Sequence, residues 1–403
     1  MQFWKQQISA PGPQVIEPLM EALRTASDEA EATERSRLAA LALGRLGALS
    51  AVPALLEALR DQREAAAPLR AAAATALGQI HAEAAARLYA LAQLPDSSAE
   101  WHAASEAMRS FTSEPVIAAL TEALRDSSPQ VRAASAAAFL ELLLDDLPND
   151  WLASASAGSG SAEAAAPAQS PSSRAVAQAA LGPLSEALKD PESAVRLQAA
   201  TALGWLGDAR AAGALADAMA DPDERCRSAV VLALGMLGTP AALKPLALAL
   251  ADTSSIVRQS AAEALGQIAN PVATGLLLDV LDNAEEPLEV RAAVARALGK
   301  LHFPQVMSPL QHLLEAPEPI LRAAAIEAFG SLGSGRAYQR ISPFLWRDPD
   351  RAVRHSAARA LARLAGNRQR RARWRLRLAL RVEREVRREA LLILEQHVAA
   401  GST

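Results

Sequence analysis

The chain is poor in cysteine, in aromatic residues and in long apolar runs. One cysteine among 403 residues cannot form an intrachain disulfide, which excludes a disulfide-built secreted scaffold. Aromatic residues make up only 3% of the chain, and β-branched residues are scarce, which argues against an all-β fold. No uncharged apolar run approaches the about 18 residues that a membrane helix needs, and residues 1–7 lack the apolar core of a signal peptide. We therefore predict a soluble, cytoplasmic and largely helical protein.

Alanine is abundant, at close to one residue in four, and hydrophobic residues reach 51% of the chain, too many for general disorder. Alanine is the best helix former but buries little area per residue. This composition favours thin helices packed closely side by side over one bulky core. By length alone the chain would form two or three globular domains.

One sequence phrase recurs along the chain: Asp, four residues, Val-Arg, and an Ala-rich stretch that ends in Ala-Leu-Gly-x-Leu. Its clearest copies are Asp190–Gly207, Asp221–Gly238 and Asp252–Ile268. Around residues 101–111 the phrase is degenerate but stays in phase. Weaker copies carry arginine at the same place, at Arg132, Arg291, Arg322, Arg354 and Arg387.

The glycine of this phrase, which we call the key position, sets the period of the repeat. It falls at 44, 78, 109, 140, 204, 235, 266, 299, 330, 362 and 395, and the spacing is 31–34 residues except for one gap of 64. A second helical phrase lies between copies, so each repeat comprises helix A, a turn with Asp, helix B and a Gly-containing turn. A two-helix repeat cannot bury its apolar stripe alone. We therefore predict an all-α, right-handed α-solenoid of about eleven repeats.

The segment LGWLGDARA at residues 203–211, together with the Asp-x4-Val-Arg phrase, resembles HEAT repeats of the short class named after phycobilisome lyases. The resemblance covers nearly the whole chain and implies a HEAT-like solenoid. It also implies one possible activity, that of a bilin lyase or isomerase acting on phycobiliproteins, which would require a linear tetrapyrrole as cofactor.

The division of the chain follows from the 64-residue gap. We predict N-terminal repeats at 1–146, a flexible, disordered Ser/Ala/Gly/Pro insertion at 147–173, and C-terminal repeats with an Arg-rich end at 174–403, all in one continuous solenoid. The gap leaves room for one A helix, at about 174–189. The insertion is either a solvated loop or a tether over the solenoid with Trp151 as an anchor.

Several repeated residues have expected structural roles. Asp190 and its equivalents precede helix B and are expected to cap its free N–H groups. Arg196 and its equivalents either tie neighbouring repeats together or bind phosphate, and the internal tie is favoured. Cys226 replaces the Val of the phrase, which predicts a buried thiol rather than a nucleophile.

Three positions of helix B vary between repeats: −7, −3 and +1 relative to the key position. They lie four residues apart and therefore share one face of the helix. Stacked B helices line the concave surface of HEAT-like solenoids, so this face is the predicted partner-binding site, formed by Leu197, Thr201, Trp205, Leu232, Met236, Glu263, Arg296 and Lys300. Its leucines, Trp205 and Met236 would form an apolar patch. The alternative is that Trp205 folds over the next repeat.

Positive charge is concentrated near the end of the chain. Residues 347–388 contain fifteen Arg and four acidic residues, a net of +11 against −4 for the whole chain. This asymmetry predicts an acidic partner there, either nucleic acid or a phosphorylated protein, or else a solvated end cap. The predicted basic patch comprises Arg359, Arg363, Arg370, Arg373, Arg377, Arg381 and Arg384.

No catalytic or metal-binding motif is present in the sequence. The six histidines are scattered, without metal-ligand spacing, and no phosphate loop or GxSxG motif occurs. We predict a non-catalytic, monomeric scaffold that binds a partner protein and has no cofactor. An assembly factor is one example of such a protein. Two alternatives stay open: a bilin lyase, for which Trp205, Glu263 and Arg296 are the positions to test, and nucleic-acid binding through the Arg-rich end.

Overall fold

The computed structural model describes residues 13–25, 30–92, 114–143, 171–268, 270–333 and 335–366. Regular structure in these ranges is helical throughout, with no strand. The chain divides into two compact units, one formed by residues 1–148 with 165–233 and the other by residues 149–164 with 234–403. The predicted all-α fold is confirmed.

The first unit alternates A and B helices along the chain. Its A helices are α1 (Pro13–Arg24), α3 (Val52–Leu59), α5 (Glu114–Ala123), α7 (Pro171–Ala187) and α9 (Ala212–Asp217). Its B helices are α2 (Ala30–Arg45), α4 (Ala67–Ala92), α6 (Pro129–Leu143), α8 (Ser193–Leu206) and α10 (Glu224–Leu237), whose residues from 234 onward belong to the second unit.

The second unit continues the same alternation. Its A helices are α11 (Leu243–Ala249), α13 (Pro271–Asp282), α15 (Met307–Leu313) and the pair α17 (Gly335–Ile341) and α18 (Phe344–Arg347). Its B helices are α12 (Ser255–Ile268), α14 (Leu288–Leu301), α16 (Pro319–Leu332) and α19 (Arg351–Gly366).

Neighbouring B helices touch through small residues. The key glycine of one B helix faces the alanine two residues before the key position of the next, and the pairs are Gly44–Ala76, Gly78–Ala138, Gly235–Ala264, Gly266–Ala297, Gly299–Ala328 and Gly330–Ala360. A Cβ added to any of these glycines would lie at most 3.0 Å from the facing alanine Cα. We call this row of contacts the glycine seam. A larger residue there would push the two backbones apart.

Each repeat buries its apolar residues between its two helices and against the next repeat. In α8, Val195, Leu203 and Leu206 are fully buried, as their helical spacing predicts. The helix ends at Gly207, whose φ of 67° lies in the left-handed region where a side chain is disfavoured. The Gly-containing turn of the repeat therefore has a conformational cause.

Helices α4 and α6, which flank the repeat predicted at key position 109, are in direct contact. Helix α4 packs directly on α6, since Gly78 meets Ala138 and the Arg70 side chain reaches Asp126. Helix α4 also runs for 26 residues, whereas α2 has 16 and α8 has 14. Residues 93–113, which carry position 109, lie outside the described residues, as does position 395. The repeat predicted at key position 109 stays a prediction, since no described residue belongs to it.

The 64-residue gap contains the predicted A helix. Helix α7 is its one described A helix, and α6 and α8 are direct neighbours joined by Arg132 and Asp190. Helix α7 begins at Pro171, three residues before the predicted start of the C-terminal repeats. Residues 144–170, with Trp151 and most of the predicted insertion, lie outside the described residues.

The glycine seam makes a direct stability prediction. Gly299→Ala places a methyl group against the Ala328 backbone and should destabilise the protein by about 1–3 kcal/mol, the usual cost of overpacking. Gly275, on the exposed side of α13, has no atom within 4 Å of its added Cβ. Gly275→Ala should therefore stabilise the protein by about 0.5–1 kcal/mol through helix propensity. Urea unfolding followed by circular dichroism measures both, and equal effects of the two substitutions would contradict the seam.

Candidate functional site

The repeated arginines bind acidic residues in the turn of the next repeat. In the first unit, the Nε atoms of Arg70, Arg132 and Arg196 lie 2.8, 2.6 and 2.6 Å from carboxylate oxygens of Asp126, Asp190 and Asp221. In the second unit, Arg258 donates to Glu286 at 2.9 Å and Arg322 to Asp348 at 2.8 Å. We call this series the Arg–Asp ladder. All five pairs are largely buried.

Each ladder arginine is also bound to the turn of its own repeat. The Nη1 of Arg196 donates to the carbonyl oxygens of Asp190 and Pro191 at 2.8 and 3.0 Å, and its Nη2 completes a two-pronged bond to Asp221 at 2.9 Å. Arg132 and Arg322 repeat this arrangement. These guanidinium groups are occupied by the protein itself, so the predicted tie between repeats is confirmed at Arg132, Arg196 and Arg322. Arg291, by contrast, donates to the Leu281 carbonyl oxygen at 3.1 Å.

The ladder aspartates bind backbone N–H groups of the turn. The prediction that they cap helix B is wrong. The Asp190 carboxylate accepts a hydrogen bond from the N–H of Glu192, one residue before α8 begins, and Glu192 itself provides no side-chain cap. In two repeats a second acidic residue does the capping, because Asp223 accepts from the Arg225 N–H and Asp350 from the Ala352 N–H. The first Asp is committed to the arginine of the preceding repeat.

The ladder shifts the pKa of its carboxyl groups. Burial by itself would raise the pKa of Asp221, but hydrogen bonds from Arg196 and from the Asp223 N–H, with the charge of Arg196, bring that pKa below its ordinary value. The pKa values of Asp126, Asp190 and Asp348 are lowered by the same balance of burial against arginine and backbone N–H donors. The charged form of each carboxyl group is thus favoured in the folded protein.

The lowered pKa values predict a loss of stability in acid. A carboxyl group whose pKa is lower when folded contributes stability above its unfolded pKa of about 3.9, and this contribution is lost as pH falls through the folded value. The free energy of unfolding should therefore fall steeply below about pH 5, with a shallower slope after Asp221→Asn and Asp348→Asn. The control Asp279→Asn replaces an exposed aspartate outside the ladder. An unchanged slope in the double variant would contradict the ladder's role.

The one cysteine lies inside the repeat stack. Cys226 is 1% exposed, and its Sγ donates to the Ser193 carbonyl oxygen at 3.3 Å. Burial, together with the charges of Asp221 and Asp223, raises the pKa of the thiol to about 11. Because the thiolate is the nucleophile, this environment leaves Cys226 chemically inert. The predicted buried thiol is confirmed.

The variable positions of the B helices form partly exposed rows in each unit. In the first unit Leu197, Thr201 and Trp205 of α8 and Leu232 of α10 are all partly exposed, and the Thr201 hydroxyl donates to the Leu197 carbonyl oxygen at 2.9 Å. In the second unit Met236 and Lys300 are partly exposed, and Glu263 and Arg296 are fully exposed. The described residues thus place the predicted side chains at the surface, and their role in binding stays a prediction.

One acidic residue of this surface was missed in the sequence. Glu327 of α16 occupies the −3 position, and its Oε1 accepts from the Ser356 hydroxyl at 3.0 Å and from Arg359 Nη2 at 3.3 Å. Burial lowers the pKa of Arg363, the charge of Glu327 raises it, and Arg359 lowers it further. The repeat phase gives the position of Glu327 directly, so the same register applied to α16 would have found it. Of the predicted basic patch, only Arg359 and Arg363 fall within the described residues.

The described residues contain neither a metal-binding cluster nor a helix suited to a membrane. No group of three or more His, Cys, Asp or Glu side chains there is arranged to hold a metal ion. None of the described helices is both long enough and apolar enough to cross a membrane.

Comparison with known families decides the class of the protein. HEAT repeats match residues 168–234, 214–288, 274–362 and 308–395, which together span more than half of the chain. The chain belongs to the HEAT-repeat family. Within this HEAT-repeat protein, residues 37–61 also match the PBS lyase HEAT-like repeat, and residues 111–135 match the HEAT repeat associated with sister chromatid cohesion. The resemblance inferred from the repeat phrase is confirmed.

Two solved structures are similar to this HEAT-repeat protein in part. An engineered protein from a structural genomics consortium is 20% identical with a TM-score of 0.45, covering 95% of this chain and 98% of its own. The complex of CpcE and CpcF of phycocyanin lyase from Nostoc sp. PCC7120 is 20% identical with a TM-score of 0.39, covering 70% of this chain and 94% of its own. The comparison with curated proteins found no match.

Proposed function

We propose that this HEAT-repeat protein is a non-catalytic scaffold that binds a partner protein through the variable rows of its B helices. The observation that supports the proposal is the division of labour within each repeat. The recurring glycine and alanine form the seam, and the recurring arginine and turn carboxylate form the ladder. Most side chains at −7, −3 and +1 stay at least partly exposed, with Ala292 as a buried exception, and they differ from one repeat to the next, as expected for residues that determine which partner binds.

The first unit offers the apolar part of this surface. Leu197 and Trp205 lie on α8 and Leu232 lies on α10, and each keeps part of its side chain exposed. Tryptophan contributes strongly to protein interfaces because it combines a large apolar area with an N–H donor. A partner that covers these side chains would gain hydrophobic free energy without rearranging the glycine seam or the ladder.

Capture of a partner from a lysate of the source organism tests this proposal. Immobilised protein should retain a specific partner, and Trp205→Ala with Leu232→Ala should reduce its capture at least about tenfold, the effect of losing about 1.4 kcal/mol. The matched control is Leu248→Ala with Val272→Ala, which removes two apolar side chains that are each 66% exposed on the A helices α11 and α13. The control should capture as well as the unmodified protein.

The helix content of both double variants is checked by circular dichroism, so that loss of fold is not mistaken for loss of binding. Equal capture by the Trp205/Leu232 variant and the unmodified protein would overturn the proposed surface. Loss of capture in the Leu248/Val272 control alone would place binding on the A helices and would contradict the proposal as well.

A second candidate function is supported by the match of residues 37–61 to the PBS lyase HEAT-like repeat. In that case the protein would act on a linear tetrapyrrole and its phycobiliprotein acceptor, with Trp205, Glu263 and Arg296 as the positions to replace. Purified protein mixed with a bilin and the acceptor would then change the bilin absorption spectrum and yield a covalent adduct. An unchanged spectrum and no adduct would remove this candidate and leave the scaffold proposal intact.

A further inference from the structure

The four B helices α12, α14, α16 and α19 of the second unit carry charged side chains at their variable positions. At the −3 position, Glu263 of α12 is followed by Arg296 of α14, Glu327 of α16 and Arg359 of α19, so the charges alternate in sign. At the +1 position, α14, α16 and α19 carry Lys300, Ser331 and Arg363, so one hydroxyl group lies between two cations. We call these three side chains the +1 row. Because α14, α16 and α19 pack in order through the glycine seam, the +1 row runs across the stack.

The cations of the +1 row are not neutralised by the part of the chain that the structure describes. Lys300 and Arg363 take part in none of the ion pairs of the described residues, whereas the ladder arginines are fully bound. The charge of Glu327 acts on Arg363, but its Oε1 is shared with Ser356 and Arg359. Arg359 and Arg363 also lie one helical turn apart on α19, where two like charges repel each other.

The surroundings of Arg363 favour the binding of an anion to its guanidinium group. Burial and the neighbouring Arg359 lower the pKa of Arg363, which means that its charged form is poorly compensated. A carboxylate brought to the guanidinium would form a charge-assisted, two-pronged hydrogen bond in a partly dehydrated setting. Such a bond contributes more than the same contact between fully exposed groups.

We propose that the +1 row binds an extended acidic peptide segment of the partner, with carboxylates placed at Lys300 and Arg363. This inference rests on the proposed scaffold function and names the chemistry of its partner. Packed helices are spaced by about 8–10 Å, so the two cations are separated by about 16–20 Å. An extended peptide advances about 3.3 Å per residue with side chains alternating in direction, so acidic residues about six apart reach both cations from one face.

The same charges disfavour a polyphosphate chain. The continuous negative charge of a nucleic acid would meet the carboxylates of Glu263 and Glu327 in the adjacent −3 row. A peptide with acidic residues in register with the +1 row avoids both, and its backbone N–H groups face the Ser331 hydroxyl oxygen. That hydroxyl donates to the Glu327 carbonyl oxygen at 3.2 Å, which leaves its lone pairs available to accept.

The test uses the purified full chain and a fluorescein-labelled peptide of about twelve residues, with two Glu residues about six positions apart among Gly and Ser, long enough to span the +1 row. Fluorescence anisotropy at low salt should detect binding, and Lys300→Gln with Arg363→Gln should weaken it at least about tenfold. The control, Lys244→Gln with Arg347→Gln, removes the same charge from exposed positions on α11 and α18 and should weaken it less than about twofold.

A gain-of-affinity variant protects the test against a folding defect. Glu327→Gln keeps an oxygen for the Ser356 hydroxyl but removes the competing negative charge beside Arg359 and Arg363, so it should tighten peptide binding about threefold. Equal losses in the two double variants would overturn the inference, as would unchanged affinity in Glu327→Gln. Tighter binding of a single-stranded oligonucleotide through Lys300 and Arg363 would also overturn it.

The outcome is separable from that of the proposed function. The peptide measurement needs no natural partner, so it can fail while capture through Trp205 and Leu232 succeeds, which would remove the acidic-peptide chemistry alone. If capture fails while the peptide binds with the expected pattern, the +1 row stands as an acidic-peptide site and the apolar surface is wrong.

Discussion

The close approach of neighbouring B helices through glycine and alanine determines the organisation of each unit. At Gly235, Gly266, Gly299 and Gly330 the facing alanine backbone leaves no room for a Cβ. Helices held at this distance keep a fixed register. Within a unit, a given position relative to the key glycine therefore lies beside the same position of the next B helix. The consequence is that single side chains, which would be isolated on one helix, are collected into rows that cross several helices.

The Arg–Asp ladder acts at the turns of the same helices. A two-helix repeat rich in alanine buries little area, so its turn gains order from the arginine that binds two turn carbonyls and the aspartate of the next repeat. A largely buried pair of this kind is costly to break from one side, because the remaining charge is left without a partner. The seam sets the spacing between repeats, and the ladder sets the orientation of each turn. Most of the seam and all of the ladder are built from positions other than −7, −3 and +1, although Gln79 and Glu141 at +1 also lie against the seam glycines Gly44 and Gly78.

The sequence predicted the fold because each repeat carries the same physical requirements. The Ala-Leu-Gly ending, the turn aspartate and the buried Val and Leu positions recur at a constant spacing, and all of them have structural causes in α8. The repeat phase could not show that α4 and α6 are in direct contact, because two periods, 62 residues, separate Gly78 from Leu140. The contact between Gly78 and Ala138 becomes evident only from the three-dimensional structure.

The candidate surface was predicted less completely than the fold. Exposure at Trp205, Glu263 and Arg296 follows from helical periodicity, but the carboxylate of Glu327 shared by Ser356 and Arg359 depends on side-chain geometry across two repeats. The distinction between arginines held in the ladder and those of the variable rows also needed the structure, because both kinds look alike in the sequence.

The proposed scaffold function places partner binding on the variable rows of the B helices. Hydroxyl-radical footprinting of the complex with a captured partner tests it most directly, since tryptophan and methionine side chains are readily oxidised. Oxidation of Trp205 and Met236 should fall on partner binding, while that of Trp346, which is 46% exposed on the A-helix side, should stay unchanged. Protection of Trp346 with unaltered oxidation of Trp205 and Met236 would contradict the account.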